Sequence, residues 1–225
     1  MIPWEFLESA QVPGNGGELS LYRRGEEFSI RTGNRQLMNS RVHGSEEALA
    51  EFACARIAGR TRPRILIGGL GMGFTLAAVL RGLGAEGEVV VAELVPAVVA
   101  WNRGPLAPLA DYPVKDGRVT VREVDIAEML QNARQAYDAI LLDVDNGPEG
   151  LARRENDWLY ARPGLEAAYA ALRPAGVLAV WSAAPNQTFV QRLRRVGFTV
   201  DEVRVPARNS GKGRRHTIWL AGRAG

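Results

Sequence analysis

At 225 residues, with 46% of them hydrophobic and 24% charged, the chain can bury one sizeable core, or one core plus a small appendage. Its formal charge of +3 is small and its basic residues, nearly all arginine, are scattered, so charge alone does not argue for a nucleic-acid partner. A lone cysteine, Cys54, excludes an internal disulfide framework and a cysteine-rich zinc site, and no run approaches the roughly 18 uninterrupted apolar residues of a membrane span.

The opening MIPWEFLESA lacks the basic start and apolar core of a signal peptide, so a cytoplasmic protein with no membrane association is expected. From Glu18 to Ser40, ELSLYRRGEEFSIRTGNRQLMNS alternates in the manner of strands and breaks at Arg24-Gly25 and Gly33-Asn34, both turn signals. Residues 1–43 therefore read as a small N-terminal β-hairpin or meander. Ser45 is placed to cap the helix that follows, Glu46 and Glu47 suit its positive end, and Leu49, Phe52, Ala53 and Ile57 share one face. Cys54, inside that apolar helix, reads as an inert core thiol.

From Pro63 onward, strand-like and helical runs alternate. RILIGG precedes a helix at Phe74 to Gly82; EVVVAEL precedes Pro96 to Trp101; RVTVREVD precedes Ile126 to Ala133; DAILLDVD precedes Leu165 to Leu172. Continuous rather than alternating hydrophobicity predicts parallel strands covered on both faces. After GVLAVWS comes a helix from Asn186 to Val196, closed by Gly197, and then FTVDEVRV and HTIWLAG with no helix between them, which should pair antiparallel. Residues 44–225 thus read as an α/β, Rossmann-like domain of the class I methyltransferase kind, a doubly wound and mostly parallel sheet ending in an antiparallel strand pair.

The first strand of that series runs into ILIGGLGMGF. Open α/β sheets bind ligands beyond the carboxyl ends of their strands, and Gly69, Gly71 and Gly73 lie there. The dinucleotide fingerprint would need glycine where Phe74 stands; G-x-G-x-G suits the loop of an adenosylmethionine site better. Acids end the next strands in turn. Glu93 can accept hydrogen bonds from ribose hydroxyls, with Leu94 beside it. Asp125, followed by Ile126, either accepts from an adenine amino group or caps the next helix. Asp143 ends the fourth strand beside the reactive arm of such a nucleoside. In DVDNGP, Asp143 and Asp145 are placed to orient an amine acceptor and take its proton, with Asn146 beside them, although Asp145-Asn146-Gly147-Pro148 also reads as a plain turn. Trp158 and Tyr160 either close over the acceptor or pack their loop onto the core.

Trp101 and Trp181 continue apolar runs and read as core. His43 and His216 have no Cys or His partner at metal-ligand spacing, so no metal is expected, and the lack of a G-x-S-x-G elbow speaks against a serine hydrolase. In ARNSGKGRRH, between the last two strands, Arg208, Lys212, Arg214 and Arg215 either grip phosphate or form a solvated loop. No aromatic residue is interleaved to stack on bases, which favours the second reading and makes nucleic acid an unexpected partner.

Taken in order, RQLMNSRVHGSEEALAEFA, RILIGGLGMGFTLAAVL, VVVAELVPAVVAWNR, RVTVREVDIAEML, YDAILLDVDNGPEG and ALRPAGVLAVWS resemble the spermidine synthase-like group of adenosylmethionine-fold proteins, from about Leu19 to Ser182. The resemblance implies a small N-terminal β-domain, a Rossmann-like core, a homodimer, and a nucleoside site using Glu93 and Asp125. It also locates departures. Aminopropyltransferases carry an aspartate in the glycine loop that grips the ammonium of decarboxylated adenosylmethionine, where this chain has Gly71; a polyamine-holding tyrosine is missing near Ser45; and the two aspartates after the fourth strand are one residue apart rather than two. A charge-assisted hydrogen bond is worth roughly 1.5 to 3 kcal/mol, about ten- to more than a hundredfold in affinity, so preference for the decarboxylated nucleoside should weaken. The expectation is an adenosylmethionine-dependent methyltransferase acting on a small amine-type acceptor. Aminopropyl transfer from decarboxylated adenosylmethionine, or a non-catalytic nucleoside-binding scaffold, are the alternatives.

Overall fold

The computed structural model describes residues 2–14, 16–144, 148, 157–207 and 214–225. Strands β1 (Glu5–Gln11), β2 (Glu18–Arg24), β3 (Glu27–Thr32) and β4 (Arg35–Asn39) form an antiparallel four-stranded sheet in chain order. The turns fall at Gly25 and Gly33, both at positive φ, as the turn signals predict. The meander is larger than the sequence suggests, because β1 is built from the opening segment. β1 is an edge strand with mostly exposed side chains, so it carries little of the hydrophobic alternation by which strands are recognised.

Helix α1 (Gly44–Arg56) leads into the main sheet and packs on α2 (Phe74–Gly82). The main chain then alternates: β5 (Arg64–Gly68), α2, β6 (Glu88–Ala92), α3 (Pro96–Arg103), β7 (Val119–Arg122), α4 (Ile126–Gln131), β8 (Tyr137–Leu142), α5 (Asp157–Tyr160), α6 (Arg162–Ala171), β9 (Leu172–Ser182), α7 (Gln187–Val196), β10 (Thr199–Pro206) and β11 (Arg215–Gly222). The seven-stranded sheet has the order β10-β11-β9-β8-β5-β6-β7. Strands β5 to β9 are parallel, and β11 inserts antiparallel between β9 and β10. This is the doubly wound sheet with a C-terminal antiparallel pair that the sequence predicts.

Period-two alternation explains why the central strands are apolar throughout. Ile65, Ile67, Val89, Val91 and Leu141 face one hydrophobic cluster with α1, α2 and α3, while Leu66, Val90, Ile140 and Leu142 face a second with α4, α6 and α7. Leu21, Phe28 and Ile30 of the N-terminal sheet join the first cluster. β7 departs from the expectation of a continuously apolar strand: it lies at the sheet edge, and its residues alternate between half-buried and exposed. Asn186 caps α7 by accepting from Phe189 N at 2.8 Å, and Gly197 ends it at φ 113°.

Two local expectations are corrected. His43, not Ser45, occupies the N-cap position of α1, and Ser45 is buried one residue inside the helix. α6 begins at Arg162, ahead of the expected Leu165, because Pro163 suits a helix's first turn. Cys54 sits half-buried with its thiol pushed up to about 11 by desolvation, which makes it unreactive.

Candidate functional site

The glycine loop is shaped by what crowds it. Gly69, Gly71 and Gly73 have φ of 88°, 53° and 86°, the left-handed region that glycine enters without a side-chain clash. A Cβ on Gly69 would lie 2.6 Å from the Asp143 carbonyl oxygen, and one on Gly73 would lie 2.9 Å from Asn102 Oδ1. A Cβ on Gly71 would meet only the thioether of Met38, at 3.3 Å, which brings β4 of the N-terminal sheet against the loop. The glycines thus serve both the strand-to-helix turn and the close approach of β8, α3 and β4.

Glu93 ends β6 buried, and both its oxygens hold backbone: Oε2 accepts from Leu70 N at 2.8 Å and Oε1 from Val95 N at 2.9 Å. Burial raises its carboxyl pKa, and those amides oppose the rise. Leu94 is half-buried beside Glu93. At the end of β7, Asp125 caps α4, with Oδ1 accepting from Ala127 N at 2.8 Å. Of the two roles open to Asp125, capping is present here. Ile126 is buried over Gly68, where an added Cβ would come within 2.9 Å of it.

Asp143 follows β8 and accepts from Thr75 Oγ1, in the first turn of α2, at 2.6 Å. Desolvation raises its pKa, with the Thr75 hydrogen bond opposing. The sequence reading missed its neighbour. Glu46 is not a solvated helix-end acid: its carboxyl rises to about 7, first through desolvation and then through the Asp143 charge, against a hydrogen bond from Ser45. The surface of both residues is only half-covered, but their carboxyls have few polar partners. Among the described residues, their side-chain partners are the Ser45 and Thr75 hydroxyls, the Glu46 backbone adds a further hydrogen bond to its own carboxyl, and the nearby cations Arg81 and His43 lie against Glu47 instead. A glutamate at a helix start reads as a charge for the helix dipole, so no sequence signal marked it. Asn102, buried on α3 and donating to Gly71 O at 2.8 Å, also escaped notice because it looks like an interior helix residue.

Asp145 and Asn146 lie outside the described residues, as do Arg208 and Lys212 of the basic loop. Arg215 donates to Arg204 O at 2.7 Å across the β10–β11 pair. Tyr160 packs onto the core: it is buried, its hydroxyl donates to Val144 O at 3.1 Å, and its ring meets Phe189 edge-on. Trp158 is half-buried against the same cluster. Trp101 and Trp181 are core as expected, their indole N–H groups donating to Glu8 and Ser45. His43 stacks on Phe74 with ring centroids 4.2 Å apart. No group of three or more His, Cys, Asp or Glu among the described residues could hold a metal ion, and no helix among them is long and apolar enough to cross a membrane.

The chain is similar in structure to the spermidine synthase from Thermotoga maritima, with a TM-score of 0.75 over 97% of this chain and 73% of that one, at 17% identity. The fold is that of the spermidine synthase-like, methyltransferase-fold proteins. A spermidine synthase in complex with the transition-state analogue AdoDATO matches at a TM-score of 0.74 and 18% identity, over 97% of this chain and 72% of that one. An adenosylmethionine-dependent O-methyltransferase from Thermotoga maritima matches at 0.55 and 20% identity, over 78% of this chain and 64% of that one. No protein-family model and no curated protein matches the sequence.

Proposed function

We propose that the protein transfers a methyl group from adenosylmethionine to a small amine-type acceptor. The observation that carries this reading is the pair Glu46 and Asp143, two desolvated carboxyls that interact with each other and whose side-chain hydrogen-bond partners among the described residues are the Ser45 and Thr75 hydroxyls. Desolvated acids of this kind are stabilised by a cation, and a sulfonium or an ammonium is one. Glycine 71 leaves the amino-acid end of the loop without the acid that would repel a donor carboxylate. When bound, the donor supplies an electrophilic methyl on a sulfur that leaves as a neutral thioether. The protein's own share is to hold that end in line with an acceptor, through the loop, Glu93 and Asp143, and to take the acceptor's proton on a carboxylate. The reading includes a small-molecule acceptor, a homodimer and a cytoplasmic setting, without metal or nucleic acid.

A second reading, aminopropyl transfer from decarboxylated adenosylmethionine, is favoured by the closer fold match to spermidine synthases than to the O-methyltransferase. Calorimetric titration with adenosylmethionine, its decarboxylated form and methylthioadenosine, followed by an acceptor screen, separates the two. Methyl transfer requires the intact donor to bind at least as tightly as the decarboxylated one. A clear preference for the decarboxylated form moves the assignment to aminopropyl transfer, and binding without turnover of any acceptor moves it to a nucleoside-binding scaffold.

A further inference from the structure

Beyond Glu46 the site continues into polar atoms that donor binding does not use. Ser45 Oγ lies 2.7 Å from Glu46 Oε2, 2.8 Å from His216 Nδ1 and 3.0 Å from Trp181 Nε1. Ser45, Trp181 and His216 are buried, and the two rings meet edge-on at 4.7 Å. An indole N–H only donates, so Trp181 occupies one of the two lone pairs of Ser45. One hydrogen and one lone pair remain on Oγ, facing Glu46 and His216.

Two arrangements satisfy Ser45 Oγ together with its three neighbours, Glu46 Oε2, His216 Nδ1 and Trp181 Nε1. With Glu46 ionised, Ser45 donates to Glu46, and His216 donates to Ser45 through a hydrogen on Nδ1. With Glu46 protonated, its O–H donates to Ser45, Ser45 donates to His216 Nδ1, and His216 carries its hydrogen on Nε2. The second becomes the first when the Glu46 proton moves to Oγ, the Oγ proton moves to Nδ1, and the Nε2 proton leaves. One proton enters at Glu46 and one departs from Nε2.

We propose that Glu46 takes the proton that the acceptor nitrogen loses on methylation, and that Ser45 and His216 form its outlet. This rests on the methyl-transfer reading. The acceptor nitrogen bonds to the methyl carbon, the carbon–sulfur electron pair stays on sulfur, and the nitrogen's proton passes to the Glu46 carboxylate. Without an outlet, that carboxyl stays protonated behind bound nucleoside and cannot serve the next turnover. Glu46 is the acid linked to this path through Ser45, whereas the side-chain hydrogen bond of Asp143 comes from Thr75. The other charged groups around the path are Glu47, which pairs with Arg81 at 3.0 Å and lies 3.4 Å from His43 Nδ1, and Arg214, which precedes β11. Burial and Arg214 lower the His216 pKa, so its imidazole is neutral near pH 7, as the outlet requires.

The test is nitrogen NMR of histidine-labelled protein, with His43→Gln used to assign the two imidazoles. Between about pH 6 and about pH 8.5, where a neutral imidazole shows its tautomer, His216 should move from the Nε2–H to the Nδ1–H form. Its midpoint should coincide with the Glu46 titration near 7, and Glu46→Gln should leave one tautomer at every pH. A wild-type tautomer indifferent to pH, or a switch that survives Glu46→Gln, overturns the outlet. Saturating adenosylmethionine at about pH 6.5 should drive His216 to the Nδ1–H form by ionising Glu46, whereas adenosylhomocysteine, which has no charge on sulfur, should not. If both bind and the tautomer ignores the sulfonium, Glu46 does not face the reacting centre. If neither binds by calorimetry, the nucleoside reading fails and the proton role of Glu46 with it, while the pH titration still reports on the path itself.

Discussion

Thr75 Oγ1 donates to Asp143 Oδ2 at 2.6 Å and so ties the first turn of α2 to the end of β8 across the glycine loop. That hydrogen bond is what opposes burial in setting the Asp143 carboxyl. Thr75→Val keeps the side-chain shape and removes the donor, which moves Asp143 further up and leaves less of it ionised. Adenosylmethionine affinity should fall about tenfold, in keeping with loss of a hydrogen bond to a charged group. Adenosylhomocysteine should be nearly unaffected. Calorimetry with both ligands checks this, and equal losses would assign Thr75 to loop geometry instead.

The raised Glu46 carboxyl predicts how stability depends on pH. Its folded value of about 7 exceeds the ordinary 4.5, so across that window the native state binds more protons than the unfolded one, and stability falls as pH rises. The contribution is fully present below the unfolded value and gone above the folded one, with an upper bound of about 3 kcal/mol. Thermal unfolding of ligand-free Glu46→Gln should therefore decline less steeply than the wild type between about pH 5 and about pH 8, the remainder belonging to Asp143 and Glu93, whose carboxyls burial also raises. A parallel decline in the variant would place the titration on another group.

Much of this fold was legible because the parallel strands are apolar on both alternations and the helices are bounded by Pro96, Asn186 and Gly197. β1 was not, since an exposed edge strand has no buried face to impose a pattern. At the site, the glycine loop and Glu93 are local features that a linear reading finds. Glu46 and His216 are 170 residues apart in number and meet only because β11 inserts beside β9, with Ser45 between them. A chain of contacts closed by sheet topology leaves no mark in spacing. The capping of α4 by Asp125 likewise rests on its hydrogen bond from Ala127, which residue type alone permits but does not require.

Gly71 and Met38 offer a test of the proposed donor choice. An aspartate at Gly71 must adopt φ near 53° and place its Cβ 3.3 Å from the Met38 sulfur, the flexible end of a side chain. Gly71→Asp alone should weaken adenosylmethionine by about tenfold or more through repulsion of its carboxylate, with a modest cost in stability. Adding Met38→Ala should relieve the contact and raise affinity for the decarboxylated donor relative to Gly71→Asp alone. Unchanged affinity for both donors in both variants would mean that Gly71 does not face the donor's amino-acid end.

Glu93 holds backbone and has a proposed ribose role, and an alanine scan would merge the two. Its oxygens hold the Leu70 and Val95 amides at 2.8 and 2.9 Å, so Glu93→Ala orphans two buried donors, at about 1 to 3 kcal/mol each, and lowers the unfolding temperature whether or not a nucleoside ever binds. The ribose role is isolated by changing the ligand along with the protein. Wild-type protein should bind adenosine about tenfold or more tightly than dideoxyadenosine, because the ribose hydroxyls donate to a carboxylate. Glu93→Ala should bind both weakly and almost equally. The coupling between the two changes then reports the hydroxyl–carboxylate contact apart from any loosening of the loop, which affects both ligands alike. If the variant discriminates between the two nucleosides as strongly as the wild type, the ribose does not sit at the end of β6.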